Sequence, residues 1–485
     1  MKTLNIKAEN RINLLSPAEI EKLHQASMRI LGEAGIHLPA EEYLKVFADA
    51  GAEVDFETQN VKIPESLVWE CLKKNPKTYV KGGRGGREYD LEFGNGATYA
   101  STSGCASRIV DLNTGKPRNA TKKDVGDMAR LADYFDSNNI YWTILSAVDQ
   151  PEQTINIHEA EAALRNTGKH VEIINCADPK QARYIVEMAK VVSGGEENMR
   201  KHPPLSYLAC PVSPLVQKKD TIDSAMIFAE AGLPLGIATM PLVGGTAPTS
   251  QAGYIALGNA EILSLNCLIQ LMYPGTGVYY ALFSTSMNPY TGGCLSSTPN
   301  QPLLNTCPTQ LAHYYGMPSV SGYGGVDENI PLNSLEMGHD LSIDALLCYF
   351  TGPDQILNFG LTDNDTLCYP QRLVIDDFIH SEIEAIARGL DFDHLNHAVE
   401  EIINIGTGGT FIASAWSAMN MRNYWQKNVR YQWDAPKKQF RDIVESAVEK
   451  AKWILANHIP PQLPQGADQE LNRILAAADD ELLNQ

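Results

Sequence analysis

Several absences narrow the field before any motif is read. Lysine and arginine number 39 against 58 acidic residues, a formal net charge of −19, and nowhere do the basic residues cluster. A basic groove for nucleic acid is therefore not expected, and this acidity suits a dissolved cytoplasmic protein. The nine cysteines form no CxxC pair and are odd in number. Reduced thiols are expected rather than a disulfide framework. No apolar run reaches the roughly 18 to 20 uncharged residues of a spanning helix. The first residues, MKTLNIKAENRINLL, scatter charge and lack an apolar core before a cleavage site, so no signal peptide is expected. His158 begins HEAE, without the second histidine of a zinc-protease motif, and no Ser–His–Asp order is evident. The glycines of KGGRGGREYDLEFGNG have no strand before them and no apolar helix after, so they read as a turn-rich hairpin and not a dinucleotide loop.

What is present is a regular beat. Up to about residue 95 helices alternate with turns; in LSPAEIEKLHQASMRILGEAG, Ser16 is placed to cap, Pro17 to start and Glu19 to close a capping box. From Gly96 short β-rich runs alternate with longer helical ones. The strands are expected at 97–102, 140–147, 170–175, 205–210, 234–239, 278–283, 318–323 and 355–360. Eight strand–helix units predict an α/β fold, a (β/α)8 TIM barrel over residues 96–390. It carries an N-terminal α/β extension over 1–95 and a C-terminal helical cap over 391–485, where amphipathic helices replace the beat.

Such barrels work at the C-terminal ends of their strands. The loops there hold few basic residues, which disfavours a phosphorylated substrate. They are rich in aromatic and small polar side chains. Tyr99, Phe283, Tyr323 and Phe359 are candidates for a cage around a cation, held through ring faces. Cys176 and Cys210, with Cys105, are candidates to converge on a zinc ion, although three small buried thiols are the plainer reading. The stretch GGTAPTSQAGYIALGNAEIL opens on glycines but lacks the lysine of a phosphate-binding loop. Gly244 and Gly245 are expected to turn the chain beside the mouth, with Asn259 and Glu261 as buried polar groups locking the following helix to its neighbours.

With its continuation, SLNCLIQLMYPGTGVYY, this stretch resembles the trimethylamine:corrinoid methyltransferase family. The likeness continues through LAHYYGMPSVSGYGGVDEN and RLVIDDFI, and back to RIVDLNTGKPRNATKKDV and the N-terminal helices. It implies a barrel that moves a methyl group from an amine to the Co(I) of a corrinoid (cobalamin type) on a separate protein, with no tightly bound cofactor or metal of its own. Members using trimethylamine carry pyrrolysine in the loop after strand 7. That position falls near Val326–Pro331, which holds only standard residues here. The departure points to members acting on quaternary amines: glycine betaine, proline betaine, carnitine or γ-butyrobetaine. Such a nitrogen already carries its charge and leaves as a neutral tertiary amine, so alignment in a desolvated pocket suffices. Gln150, Asn175, Asn329 and Asn358 are the candidate donors to a betaine carboxylate, because the mouth offers no arginine. Ser103, Gly244, Gly245, Gly324 and Asp327 are the candidates to face the corrinoid. The implied partners are a cognate corrinoid protein and a small quaternary amine, without nucleic acid or membrane, in a homo-oligomer. Two alternatives stay open: a catalytically silent quaternary-amine binder, and a zinc-dependent thiol methyltransferase on the same barrel.

Overall fold

A computed structural model describes residues 3, 6, 10–174, 176, 178–322, 327, 330–424 and 432–484, the side chains of 358 and 422–424 excepted. Eight parallel strands close into a barrel: β1 (Tyr99–Thr102), β2 (Asn138–Trp142), β3 (His170–Ile173), β4 (Leu205–Ala209), β5 (Leu235–Thr239), β6 (Val278–Leu282), β7 (Ser319–Gly322) and β8 (Gln355–Phe359). They neighbour one another in chain order, and β8 pairs with β1 to complete the ring. LSYLA, LGIAT and VYYAL are buried at every residue. Helices cover the outer face of a parallel sheet and the interior packs on itself, so continuous apolar runs are what such strands require.

The N-terminal end of the barrel is shut. A hairpin, Tyr79–Lys81 with Leu91–Phe93, brings the Phe93 ring to 5.6 Å from Tyr99 in a stacked arrangement. Lys81 enters the barrel between the rings of Phe93 and Tyr279, 4.3 Å from each centroid. Its ammonium donates to Gln355 at 3.0 Å and pairs with Glu172 at 3.3 Å, both charged side chains being fully buried. Glu172 also accepts from the Tyr279 hydroxyl and from Gln355 Nε2. Gly236 makes the room for Tyr279, since a Cβ there would overlap its ring. Burial pulls the Lys81 pKa down to about 8, against the opposing pull of Glu172.

The capping box at Ser16 and Glu19 forms as the sequence predicts. The N-terminal helices Pro17–Arg29 and Glu65–Leu72 pack on the helix Gln251–Met272. Asn259 on that helix donates to Ser27 at 2.8 Å and to the Tyr315 hydroxyl at 2.9 Å, and accepts from Tyr280 at 3.2 Å. Glu261 accepts from Ser213 at 2.8 Å, from the Leu215 amide at 2.9 Å and from Thr239. Both are the buried locks that the sequence suggested. Gly258 lies so close to β6 that a Cβ would come within 2.4 Å of Leu282. This helix also corrects one expectation: it is 22 residues long and an 18-residue stretch of it has a mean hydropathy of 1.4, long and apolar enough to cross a membrane. It is instead a core helix, buried over 89% of its apolar window, with Glu261 satisfied at its middle.

After β8 the helix Pro370–Arg388 completes the ring, and Gly389 stops it with φ +75°. The helices Ile443–Asn457 and Ala467–Leu483 return to pack on the barrel's outer helices. Between Gly389 and the first of these helices, no residue from 391 to 421 is buried.

Candidate functional site

Two small sheets rise above the open, C-terminal end of the barrel. One joins the loops after β5 and β6 through Leu242–Val243, Thr285–Met287 and Cys294–Leu295. The other joins the loops after β1 and β8 through Leu361–Thr362, Leu367–Cys368, Arg108–Val110 and Pro117–Asn119. They enclose a cavity of about 560 Å³. Its floor is apolar: Trp142, Ile174, Leu208 and Leu357 from the strand ends belong to the inner barrel cluster and line it from below. Phe283, Met240 and Leu242 form walls, and Ser103, Ser107, Ser284, Thr285, Ser296, Asn305 and Gln301 supply hydroxyls and amides. A shallower cleft of about 380 Å³ on the flank pairs its own charges: Lys190 with Glu187, and Arg473 with Glu470.

Among the described residues the cavity has one charged side chain, Asp365. Asp363, Asn364 and Asp365 all take left-handed backbone angles, with φ of +52°, +50° and +63°. Asp and Asn tolerate that region best among residues with a Cβ, but each still costs on the order of 1 kcal/mol. Side chains hold the turn in place. Asn364 accepts from Ser296 Oγ at 2.6 Å and donates to the Cys294 carbonyl at 3.1 Å. The Ser296 amide in turn donates to Asp327 at 2.6 Å. The loops after β6, β7 and β8 are thereby tied together over the cavity. Asp365 itself accepts no hydrogen bond and makes no ion pair among the described residues. Its surface opens into the cavity, and enclosure by protein raises its pKa above the usual aspartate range, with Arg372 behind the wall opposing. Arg372 is fully buried and held by Asp376. Trp142 Nε1 is a second buried group on the cavity wall without a partner among the described residues.

The residues expected from sequence divide cleanly. Phe283 and Ser103 line the cavity. Gly244 and Gly245 turn the chain next to Leu242, whose carbonyl accepts from the Gly245 amide at 2.9 Å, and Asp327 braces the rim. Tyr99 is a correction: as the first residue of β1 it lies at the shut end, its hydroxyl donating to the Glu92 carbonyl at 3.3 Å. Phe359 is another. A β-bulge between Ile356 and Phe359 turns its ring outward, 6.4 Å from that of His380 on the covering helix. The bulge overrides the period-two alternation that would have aimed it inward. Gln150 is also displaced, in the loop after β2 and away from the cavity lining. Tyr323, Gly324, Asn329 and Asn175 lie outside the described residues, as does the Asn358 side chain.

Cys105 and Cys210 line the cavity, but Cys176 does not join them; its thiol faces the Asp178 carbonyl at 3.8 Å. Burial, followed by Cys105, pushes the Cys210 thiol up to about 12. Among the described residues no group of three or more His, Cys, Asp or Glu is arranged to hold a metal ion, so the zinc alternative lacks its ligand set there. Trp142, Met240 and Asp365 were not anticipated. Trp142 is the last residue of β2, the end of a strand that sequence reading extends to 147.

Comparisons with known proteins converge on one family. The model of the trimethylamine methyltransferase family matches residues 2–482. Trimethylamine methyltransferase MttB of Desulfitobacterium hafniense is 29% identical over 472 residues, covering 96% of this chain and 94% of its own. Glycine betaine methyltransferase of the same species is 27% identical over 474 residues, covering 96% and 97%. The crystal structure of the Methanosarcina barkeri monomethylamine methyltransferase MtmB superposes with a TM-score of 0.52 at 13% identity, over 93% of this chain and 90% of that one, a likeness of fold alone.

Proposed function

This chain belongs to the trimethylamine methyltransferase family, and we propose that it moves a methyl group from a quaternary amine to the Co(I) of a corrinoid carried by a partner protein. The observation that carries the reading is the cavity at the barrel's open end. Its walls are apolar and aromatic, its polar groups are uncharged except for one carboxylate, and no described lining residue is basic. A quaternary ammonium has no N–H to donate, so it is recognised by ring faces and negative charge. The standard residues at 326–331, where the trimethylamine members carry pyrrolysine, favour a quaternary amine over trimethylamine, and a relative named for a quaternary amine, glycine betaine, is as long and about as similar as those named for trimethylamine.

The corrinoid, when bound, supplies the nucleophile, a chemistry that belongs to the cofactor. The cavity lies at the barrel's open end, the side from which such a group would approach it. It exceeds what a small quaternary amine fills, and small residues such as Ser103 and Gly104 border it. The chain's own residues do the rest. Trp142 and Phe283 hold the ammonium, Ile174, Leu208 and Leu357 exclude water beneath it, and the hydroxyls of Ser103 and Ser284 orient the tail. One N–CH₃ bond is then presented in line toward the open end. Fixed orientation of two reactants is worth several kcal/mol in such a displacement. No general acid is required, because the amine departs neutral.

The test is a panel of quaternary amines incubated with the protein and Co(I) cobalamin, with absorbance reporting methyl-Co(III). Turnover with at least one member is expected. Binding without turnover across the panel identifies a silent binder and overturns the proposal.

The same reading includes a second copy of the chain. Segment 391–421 leaves Phe392, Leu395, Ile402, Ile403, Ile412 and Met419 more than half exposed. Residues 389–442 hold six acidic and six basic side chains, so the whole −19 resides elsewhere in the chain. An apolar arm of about thirty residues, carrying only four of the chain's 58 acidic side chains, matches one side of a stable interface. A corrinoid partner must leave after each turnover, which suits a smaller and more polar contact.

A further inference from the structure

The cavity's charge bears on which quaternary amine it takes, an inference that rests on the function proposed above. A betaine carries a carboxylate within a few bonds of its ammonium and needs a cation or several donors to receive it. The described lining contains no lysine, arginine or histidine. The undescribed residues in the loops after β3 and β7 (175, 177, 323–326, 328 and 329) include no lysine or arginine either. Arg372, the buried cation that acts on Asp365, is paired with Asp376 and does not line the cavity. Among the described residues the one charge that reaches the cavity is negative. Asp365 has no hydrogen-bond or ion-pair partner among the described residues, and it sits on a turn of three left-handed residues braced by Ser296 and Cys294.

Asp365 is exposed at the mouth of that cavity, so its carboxylate is accessible to a cation that enters it and is not engaged by the fold. We propose that Asp365 is the counter-ion of the substrate's ammonium, and that the cavity selects quaternary amines with a neutral tail, of the choline type, over zwitterionic betaines. The same residue attracts the cation and repels a second carboxylate, which gives selectivity through an unfavourable contact as well as a favourable one. An uncharged hydroxyl tail suits the remaining lining. Trp142 Nε1 is an unpartnered donor, and Ser103, Ser284, Thr285 and Asn305 both donate and accept. The role is one of binding. As the methyl group leaves, the nitrogen loses its charge, so the attraction to Asp365 weakens in the transition state. Removing it must raise KM while leaving kcat unchanged or higher.

Asp365→Asn is a clean probe, because asparagine tolerates the φ of +63° that aspartate adopts here. Calorimetric titration with choline, tetramethylammonium and glycine betaine, on the wild type and on this variant, reads binding without any corrinoid. Choline and tetramethylammonium are expected to bind the wild type at least tenfold more tightly than glycine betaine. In the variant their affinity falls by roughly ten- to hundredfold, and glycine betaine binding holds or improves. Methyl transfer to Co(I) cobalamin is then followed with choline, with the KM rise expected at unchanged kcat. Tighter binding of glycine betaine to the wild type, or equal loss of all three ligands in the variant, overturns the inference. If glycine betaine binds better and is demethylated, the inference fails while the proposed function stands. If every amine binds but none is demethylated, the proposed function fails while the charge selectivity is still decided.

Discussion

Glu172 at the shut end of the barrel is fully buried and Asp365 at the open end is exposed to the cavity, and they keep opposite company. Glu172 faces Lys81, Tyr279 and Gln355, all buried. Asp365 faces a cavity of about 560 Å³ and accepts nothing from the described residues. Between them lies the apolar floor of Trp142, Leu208 and Leu357. A satisfied charge serves the fold, by fixing how the hairpin Tyr79–Phe93 plugs the barrel. A solvent-accessible carboxylate with no partner in the fold adds nothing to stability and is available for what it binds.

The contrast predicts unequal responses to substitution. The largest belongs to the shut end: Lys81→Met leaves Glu172 buried without its cation and is expected to cost about 3–5 kcal/mol. Urea unfolding measures it, and ligand affinity in the folded fraction should be unchanged. A loss under about 1 kcal/mol would erase the distinction between the two ends.

Glu159 is an intermediate case. It accepts from the Ala147 amide at 2.9 Å and Asn156 at 3.2 Å, which pins the loop after β2, yet burial raises its pKa to about 7. A raised carboxyl pKa contributes stability that is fully present below the unfolded value, 4.5, and is lost as pH rises through about 7. Relative to Glu159→Gln, the wild type should therefore lose about 3 kcal/mol across that window. Paired unfolding curves at the two ends of the window check this; parallel pH profiles for the two proteins contradict it.

The smallest effect belongs to Asp365→Asn, whose stability should change by less than about 1 kcal/mol, or improve, because no native contact is lost. A melting temperature lowered as much as in Lys81→Met would make Asp365 a structural residue like Glu172.

The barrel was far more legible in the sequence than its site. Strands buried on both faces, punctuated by Gly, Pro and Asn, announce themselves, and all eight occur where expected. The capping box at Ser16 and the locks at Asn259 and Glu261 follow from local chemistry that needs no tertiary knowledge. The site depends on geometry the sequence hides. Tyr99 stands at the start of β1 and not its end, so it faces the plug. A bulge in β8 sends Phe359 outward. Asp365 becomes visible only once two-residue strands such as Leu361–Thr362 and Leu367–Cys368 form a rim, and strands that short leave no periodicity to read.

The central claim is that the open-end cavity holds a quaternary ammonium between aromatic walls and Asp365. A crystal of the protein soaked in tetramethylarsonium tests it directly, because arsenic marks the cation by anomalous scattering. The account predicts one strong peak in the cavity, within about 6 Å of the Trp142 or Phe283 ring and beside the Asp365 carboxylate. A peak in the flank cleft, or an ordered cation in the cavity turned away from Asp365, would contradict it.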